Sequence, residues 1–121
     1  MDSADPDTSL PGADDWCPAA PLLTLLRGRW TASLLYYLGA RGPARFGELQ
    51  RELAGISPKV LTARLRGLER DGLLWREASG GAAPEVRYGL SEMGVDVHAA
   101  LSALEEPTER WLTKPGTGPA R

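Results

Sequence analysis

Phe46-Gly47-Glu48-Leu49-Gln50-Arg51-Glu52-Leu53, then Ala54-Gly55-Ile56-Ser57, then Pro58-Lys59-Val60-Leu61-Thr62-Ala63-Arg64-Leu65-Arg66-Gly67-Leu68-Glu69-Arg70-Asp71, decide the fold of this 121-residue chain. Phe46, Leu49 and Leu53 fall on one face of a short helix. Ser57 is an N-cap residue, and Pro58 suits the first helical position, where the N–H it lacks would be unpaired in any case. Leu61, Leu65 and Leu68 share one narrow face of the helix that follows, and Gly72 ends it. Two short helices joined by a glycine-containing turn form a helix-turn-helix.

The flanking segments extend this unit. Downstream, Leu73 to Glu77 and Val86 to Leu90 read as strands, joined by a loop over 78–85 that holds Gly80-Gly81 and Pro84. Ser91-Glu92 opens a last helix reaching about Trp111, with Val95, Val97, Leu101 and Leu104 apolar. Pro107 is expected to kink that helix or to end its first segment. Upstream, Pro18 and Pro21 suit the first turn of a helix running to about Arg27, which Gly28 breaks. Trp30, Leu34, Leu35 and Leu38 mark a second helix that Gly39 is expected to end, and Gly42-Pro43 reads as a turn. The order implies a mainly α chain with a small β-hairpin (α+β). The fold is then a winged helix-turn-helix over residues 15–112, with an added helix at each end. Residues 1–14 read as a disordered acidic tail and 113–121 as a flexible tail.

Length, hydrophobic content of 42% and charged content of 25% fit one ordinary globular domain. The apolar stretches are too short for a membrane span, no secretory leader is visible, and a lone cysteine cannot form an internal disulfide. A cytoplasmic protein with no membrane partner is the expectation. The net charge of −2 hides an asymmetry: residues 1–15 carry five aspartates and no base, so their −5 leaves +3 on residues 16–121. Between 45 and 76, seven basic residues face four acids. Sign asymmetry of this kind bears on partners rather than on fold.

The basic side chains are placed by the helical period. Opposite the leucines of the fourth helix lie Lys59, Ala63, Arg66 and Arg70, with Thr62 on the flank. Lys and Arg can neutralise phosphates or reach guanine edges, Thr can touch a phosphate or a thymine methyl, and a small Ala63 permits close approach. The expected partner is double-stranded DNA, with this helix in the major groove. The candidate contact set is Arg45, Ser57, Pro58, Lys59, Thr62, Ala63, Arg66, Arg70, Arg76 and Arg87. Arg64 lies about 60° from the core centre and is expected to pair with an acid inside the domain. The hairpin loop holds no base, so the wing is expected to contact DNA weakly, through Arg76 and Arg87 alone.

Asp15-Trp16-Cys17-Pro18, Leu26-Arg27-Gly28-Arg29-Trp30-Thr31, Arg45-Phe46-Gly47-Glu48-Leu49, the run from Ile56 to Glu69 and Val86-Arg87-Tyr88-Gly89-Leu90-Ser91 together resemble the HxlR-type winged-helix transcription regulators. The resemblance covers about residues 15–112. It implies a homodimer built from the terminal helices, acting as a bacterial repressor or activator on palindromic operators. It also implies that Cys17, which precedes the first helix, is a candidate redox or electrophile sensor, since some members of that family use a cysteine there. A helix N-terminus lowers a thiol pKa, which suits that role, whereas a small packing residue is the plainer reading. Arg87 departs from the family pattern, which has an acid before the tyrosine.

Trp16, Trp30, Trp75 and Trp111 read first as core and dimer anchors. Trp16 and Trp111 are also candidates to line an effector pocket between subunits, for a small molecule that the sequence does not identify. His98 has no His or Cys partner in sequence, so neither a metal nor another cofactor is expected. No nucleophile–base pair or phosphate-binding glycine loop is present, so no enzyme is expected. The rival reading, a winged-helix module that binds proteins and not DNA, draws on the net negative charge and the loop without bases.

Overall fold

The computed structural model describes residues 16–120. The acidic tail expected over 1–14 lies outside the described residues. The chain runs α1 (Ala20–Leu25), α2 (Thr31–Arg41), β1 (Ala44–Arg45), α3 (Phe46–Glu52), α4 (Pro58–Arg70), β2 (Leu74–Ala78), β3 (Val86–Leu90), α5 (Glu92–Ala103) and α6 (Glu105–Thr113). The three strands form an antiparallel sheet in the order β1-β3-β2. The architecture is the mixed α+β winged helix-turn-helix expected from the sequence.

Its core is a leucine cluster drawn from every layer. Leu34, Leu35, Leu49, Leu61 and Leu65 are fully buried, and Leu38, Ala44, Leu53, Ile56, Leu68, Leu73, Leu74 and Val97 complete the packing. The helical period puts Leu61, Leu65 and Leu68 on the inner face of α4, as read from the sequence. The Ser57 hydroxyl accepts the Val60 N–H at 3.1 Å, which satisfies one orphan donor of the first turn. In the turn before α4, Gly55 sits at φ +98°, a left-handed conformation that a β-carbon would strain. The turn is anchored on both sides of that glycine by buried Leu53 and Ile56, with the Ile56 N–H donating to the Leu53 carbonyl.

Several local expectations yield to tertiary contacts. Gly39 does not end the second helix, which continues to Arg41 and stops at Gly42, φ +89°. A β-carbon at Gly39 would lie 2.2 Å from the His98 ring, so this glycine is where α5 packs against α2. Trp30 is not helical but the N-cap of α2, at φ +86°, with the Arg29 guanidinium 4.6 Å over its ring. α1 is shorter than the run from Pro18 to Arg27 suggests. Pro107 does end the first segment of the last helix, as expected, with the break falling at Leu104. Proline at the third position of α6 clashes with the carbonyl four residues back, that of Ala103, so the interruption falls ahead of it. β1 was not expected, because two residues carry no strand pattern of their own and pair only with Tyr88 and Arg87. Residues 114–120 have no helix or strand, but Thr117 donates to the Trp111 and Lys114 carbonyls and so folds back on the end of α6.

Candidate nucleic-acid interface

α4 presents Ser57, Pro58, Lys59, Ala63, Arg66 and Arg70 to solvent, with Thr62 half-buried at its edge. Lys59 and Arg66 have no hydrogen bond or ion pair among the described residues. Arg70 is 3.7 Å from Asp71 and both are exposed, a pair that contributes little. A ridge of cations held outward by a buried leucine stripe, without acids to neutralise its first two turns, is an anion-facing surface.

The strand cations divide by the pleat. Side chains alternate between the faces of a strand, and residues directly opposite one another share a face. Arg76 stands opposite Tyr88, which stands opposite Ala44. Arg87 stands opposite Glu77 on one side and Arg45 on the other. Arg76 therefore lies on the face that meets α4, and it shares a polar recess with Thr62 and Arg66. Arg45 and Arg87 point away from that helix. Arg45 is also engaged, 3.5 Å from Glu85 at the end of the wing loop, while its backbone N–H donates to Glu48. Of the three strand arginines in the candidate set, only Arg76 joins the α4 surface.

Arg64 corrects an expectation. Its Nε donates to the Arg29 carbonyl at 3.4 Å, so among the described residues it ties α4 to the loop before α2 and not to an acid. The wing loop is closed by a reciprocal pair, with the Ser79 N–H donating to the Glu85 carbonyl and the Glu85 N–H donating to the Ser79 hydroxyl. Tyr88 lines the recess beside Arg76 and was missed as a site residue. Pairing the two sequence-legible strands in register would have found it.

A second surface is apolar. Leu23, Met93, Val95, Leu104, Trp111 and Leu112 are exposed on α1, α5 and α6. An open groove of about 920 Å³ runs between α2 and the α5–α6 arm, lined by Tyr36, Leu101, Leu104 and Leu112. At its edge the Tyr36 hydroxyl donates to Glu105, and that hydrogen bond, then the carboxylate's charge, raises the phenol pKa above its ordinary value. Neither Trp16 nor Trp111 lines this groove. Trp16 is 99% exposed and so is no core anchor within one chain. Cys17 is also exposed, with a free thiol. Among the described residues no group of three or more His, Cys, Asp or Glu side chains could hold a metal ion, and no helix is long and apolar enough to cross a membrane.

Known proteins place this geometry. The family described as HxlR-like helix-turn-helix matches residues 25–115. The uncharacterized HTH-type transcriptional regulator YdeP of Bacillus subtilis (strain 168) is 34% identical over 101 residues, covering 82% of this chain and 78% of YdeP. The crystal structure of a MarR-family transcriptional regulator from Enterococcus faecalis V583 superposes with a TM-score of 0.73 at 38% identity, over 88% of this chain and 96% of that one. The reduced form of the transcriptional regulator YodB from B. subtilis gives 0.70 at 29% identity, over 83% and 97%. A sequence match over three quarters of the chain, joined to the same fold in solved regulators, leads to one assignment: this chain belongs to the HxlR-like helix-turn-helix family and is a transcriptional regulator of the helix-turn-helix type.

Proposed function

We propose that the protein is a homodimeric repressor that binds palindromic operators in double-stranded DNA, with one α4 in each of two major grooves. The observation that carries this reading is the outward face of α4, where Ser57, Lys59, Ala63 and Arg66 are exposed, the two cations are unpaired among the described residues, and the leucines behind them are buried. Residues near the N-terminus of such a helix reach deepest into the groove, so Ser57, Lys59, Thr62 and Arg66 contact base edges or the phosphates beside them. Arg70 contacts the backbone farther along. The exposed apolar residues of α1, α5 and α6 form the dimer surface, since large apolar side chains left in solvent suit burial against a second copy and most such assemblies are two-fold. Neutralising Lys59 and Arg66 tests the reading, and retained duplex binding would favour a protein-interaction module instead.

A second reading concerns the signal. Cys17 is exposed beside the start of α1, and the solved relatives include YodB in reduced and diamide-treated forms and the redox regulator HypR in oxidised and reduced forms. With one cysteine per chain, a disulfide has to join two subunits or a small thiol. Cys17→Ser is expected to keep operator affinity within about two-fold, since a surface exchange away from the interface costs under roughly 0.5 kcal/mol. It is also expected to abolish the release of DNA on diamide treatment, read by fluorescence anisotropy. The same release in wild type and variant would remove Cys17 from the signal and leave an unidentified small-molecule effector.

A further inference from the structure

A polar recess of about 350 Å³ lies where α4 meets the root of the wing, lined by Phe46, Thr62, Arg66, Glu69, Arg76 and Tyr88. We infer that this recess is a socket for one phosphodiester of the bound duplex, gripped jointly by Arg66 of the recognition helix and Arg76 and Tyr88 of the hairpin. The inference rests on the DNA-binding reading above and adds a second DNA contact, at the root of the wing and not at its tip.

Three observations support it. Thr62, Arg66 and Glu69 follow the helical ridge that faces the sheet, and Arg76 and Tyr88 are direct cross-strand partners on the sheet face that looks back at them, so one concavity is built from two elements. Neither guanidinium has a hydrogen bond or ion pair among the described residues, although Glu69 lines the same recess. Two arginines against one carboxylate leave the recess with a formal charge of +1, which one singly charged phosphodiester balances. The donors also suit that ligand: guanidinium forks match the paired oxygens of a phosphate, and hydroxyls such as those of Thr62 and Tyr88 are common phosphate donors. The hairpin thus contributes to binding even though its loop, 79–85, holds no base.

The test uses the full-length protein and a duplex carrying a site selected by wild type, with folding of each variant checked by circular dichroism. Arg76→Ala is expected to shrink the slope of log K against log salt by about 0.9 per bound protomer, because one phosphate is no longer neutralised. The preferred sequence should not change. Tyr88→Phe, which only removes a hydroxyl, is expected to weaken binding about five-fold per bound protomer, roughly 25-fold for the dimer, at every salt concentration and to leave the slope alone, in keeping with the roughly 1 kcal/mol typical of one hydrogen bond. Glu69→Gln is expected to tighten binding. A scan of duplexes with a neutral methylphosphonate at the same position of both half-sites should find one such position at which wild type and Arg76→Ala bind alike. A wild-type slope in folded Arg76→Ala overturns the socket while leaving DNA binding by α4 intact. A wild-type advantage over Arg76→Ala that survives at every methylphosphonate position overturns it too, because Arg76 then acts through no one phosphodiester. Absence of any duplex binding by wild type removes both the socket and the reading beneath it.

Discussion

Lys59→Ala combined with Arg66→Ala is expected to lower operator affinity about a thousand-fold or more while the domain stays folded. Base and phosphate contacts of this type are worth about 1–3 kcal/mol each. A dimer loses four of them, so even the low end amounts to about 4 kcal/mol, and 1.4 kcal/mol is a factor of ten. The fold should tolerate the change because both side chains are exposed, neither has a partner among the described residues, and alanine is the best helix former. Anisotropy titration of a labelled operator gives the affinity, and a thermal melt gives the control. A folded double variant that still binds within ten-fold of wild type would contradict the placement of α4 in the groove.

Gly94→Ala is expected to be the most damaging single-atom-scale change away from DNA. Gly94 sits in the first turn of α5 and is buried. A β-carbon there would fall 2.2 Å from the Leu73 carbonyl oxygen and 3.2 Å from both the Leu73 carbonyl carbon and the Leu90 β-carbon. The obstacle is backbone, so it cannot swing aside. That carbonyl also accepts the Ser91 N–H at 3.0 Å, and the Ser91 hydroxyl caps the helix by accepting the Gly94 N–H while donating to the Gly72 carbonyl. Room for the methyl group requires separating α5 from the start of β2 and loosening this cap. Overpacking usually costs about 1–3 kcal/mol, and loss of a cap about 1 more. At about 4–8 °C per kcal/mol for a domain of this size, the melting temperature should fall by about 8–32 °C. Helix propensity alone predicts the opposite sign, a gain of about 1 kcal/mol for Gly to Ala. An unchanged or raised melting temperature would show that the α5–β2 junction is looser than described.

How much of this was legible in the sequence depends on whether the cause was local. α4 could be placed to within a residue because its signals are its own: Ser57 as cap, Pro58 in the first turn, leucines at 61, 65 and 68, and Gly72 just beyond. β3 was read at its observed bounds and β2 one residue early, since alternation and the Gly80-Gly81 loop are also local. Features that depend on distant partners were misread. Gly39 looks like a helix stop until His98 is found lying across it. β1 exists only because β3 offers it an edge. The helical position of Arg64, near the core face, reads as an arginine paired with an acid, yet the structure gives it the Arg29 carbonyl. Trp16 is almost fully exposed, so of the two roles read for it, core and dimer anchor, the first does not hold within one chain. For the candidate interface, the helix face was readable, whereas the sorting of Arg45, Arg76 and Arg87 to opposite sheet faces required the strand register.

The central claim, that two copies of α4 read DNA at a fixed separation, is tested most directly by selecting bound duplexes from a random pool with wild-type protein. The account predicts a two-fold symmetric consensus whose half-sites are centred about one helical turn, or a small multiple of it, apart. Recovery of unrelated sequences after repeated rounds, or of a single asymmetric half-site, would contradict it.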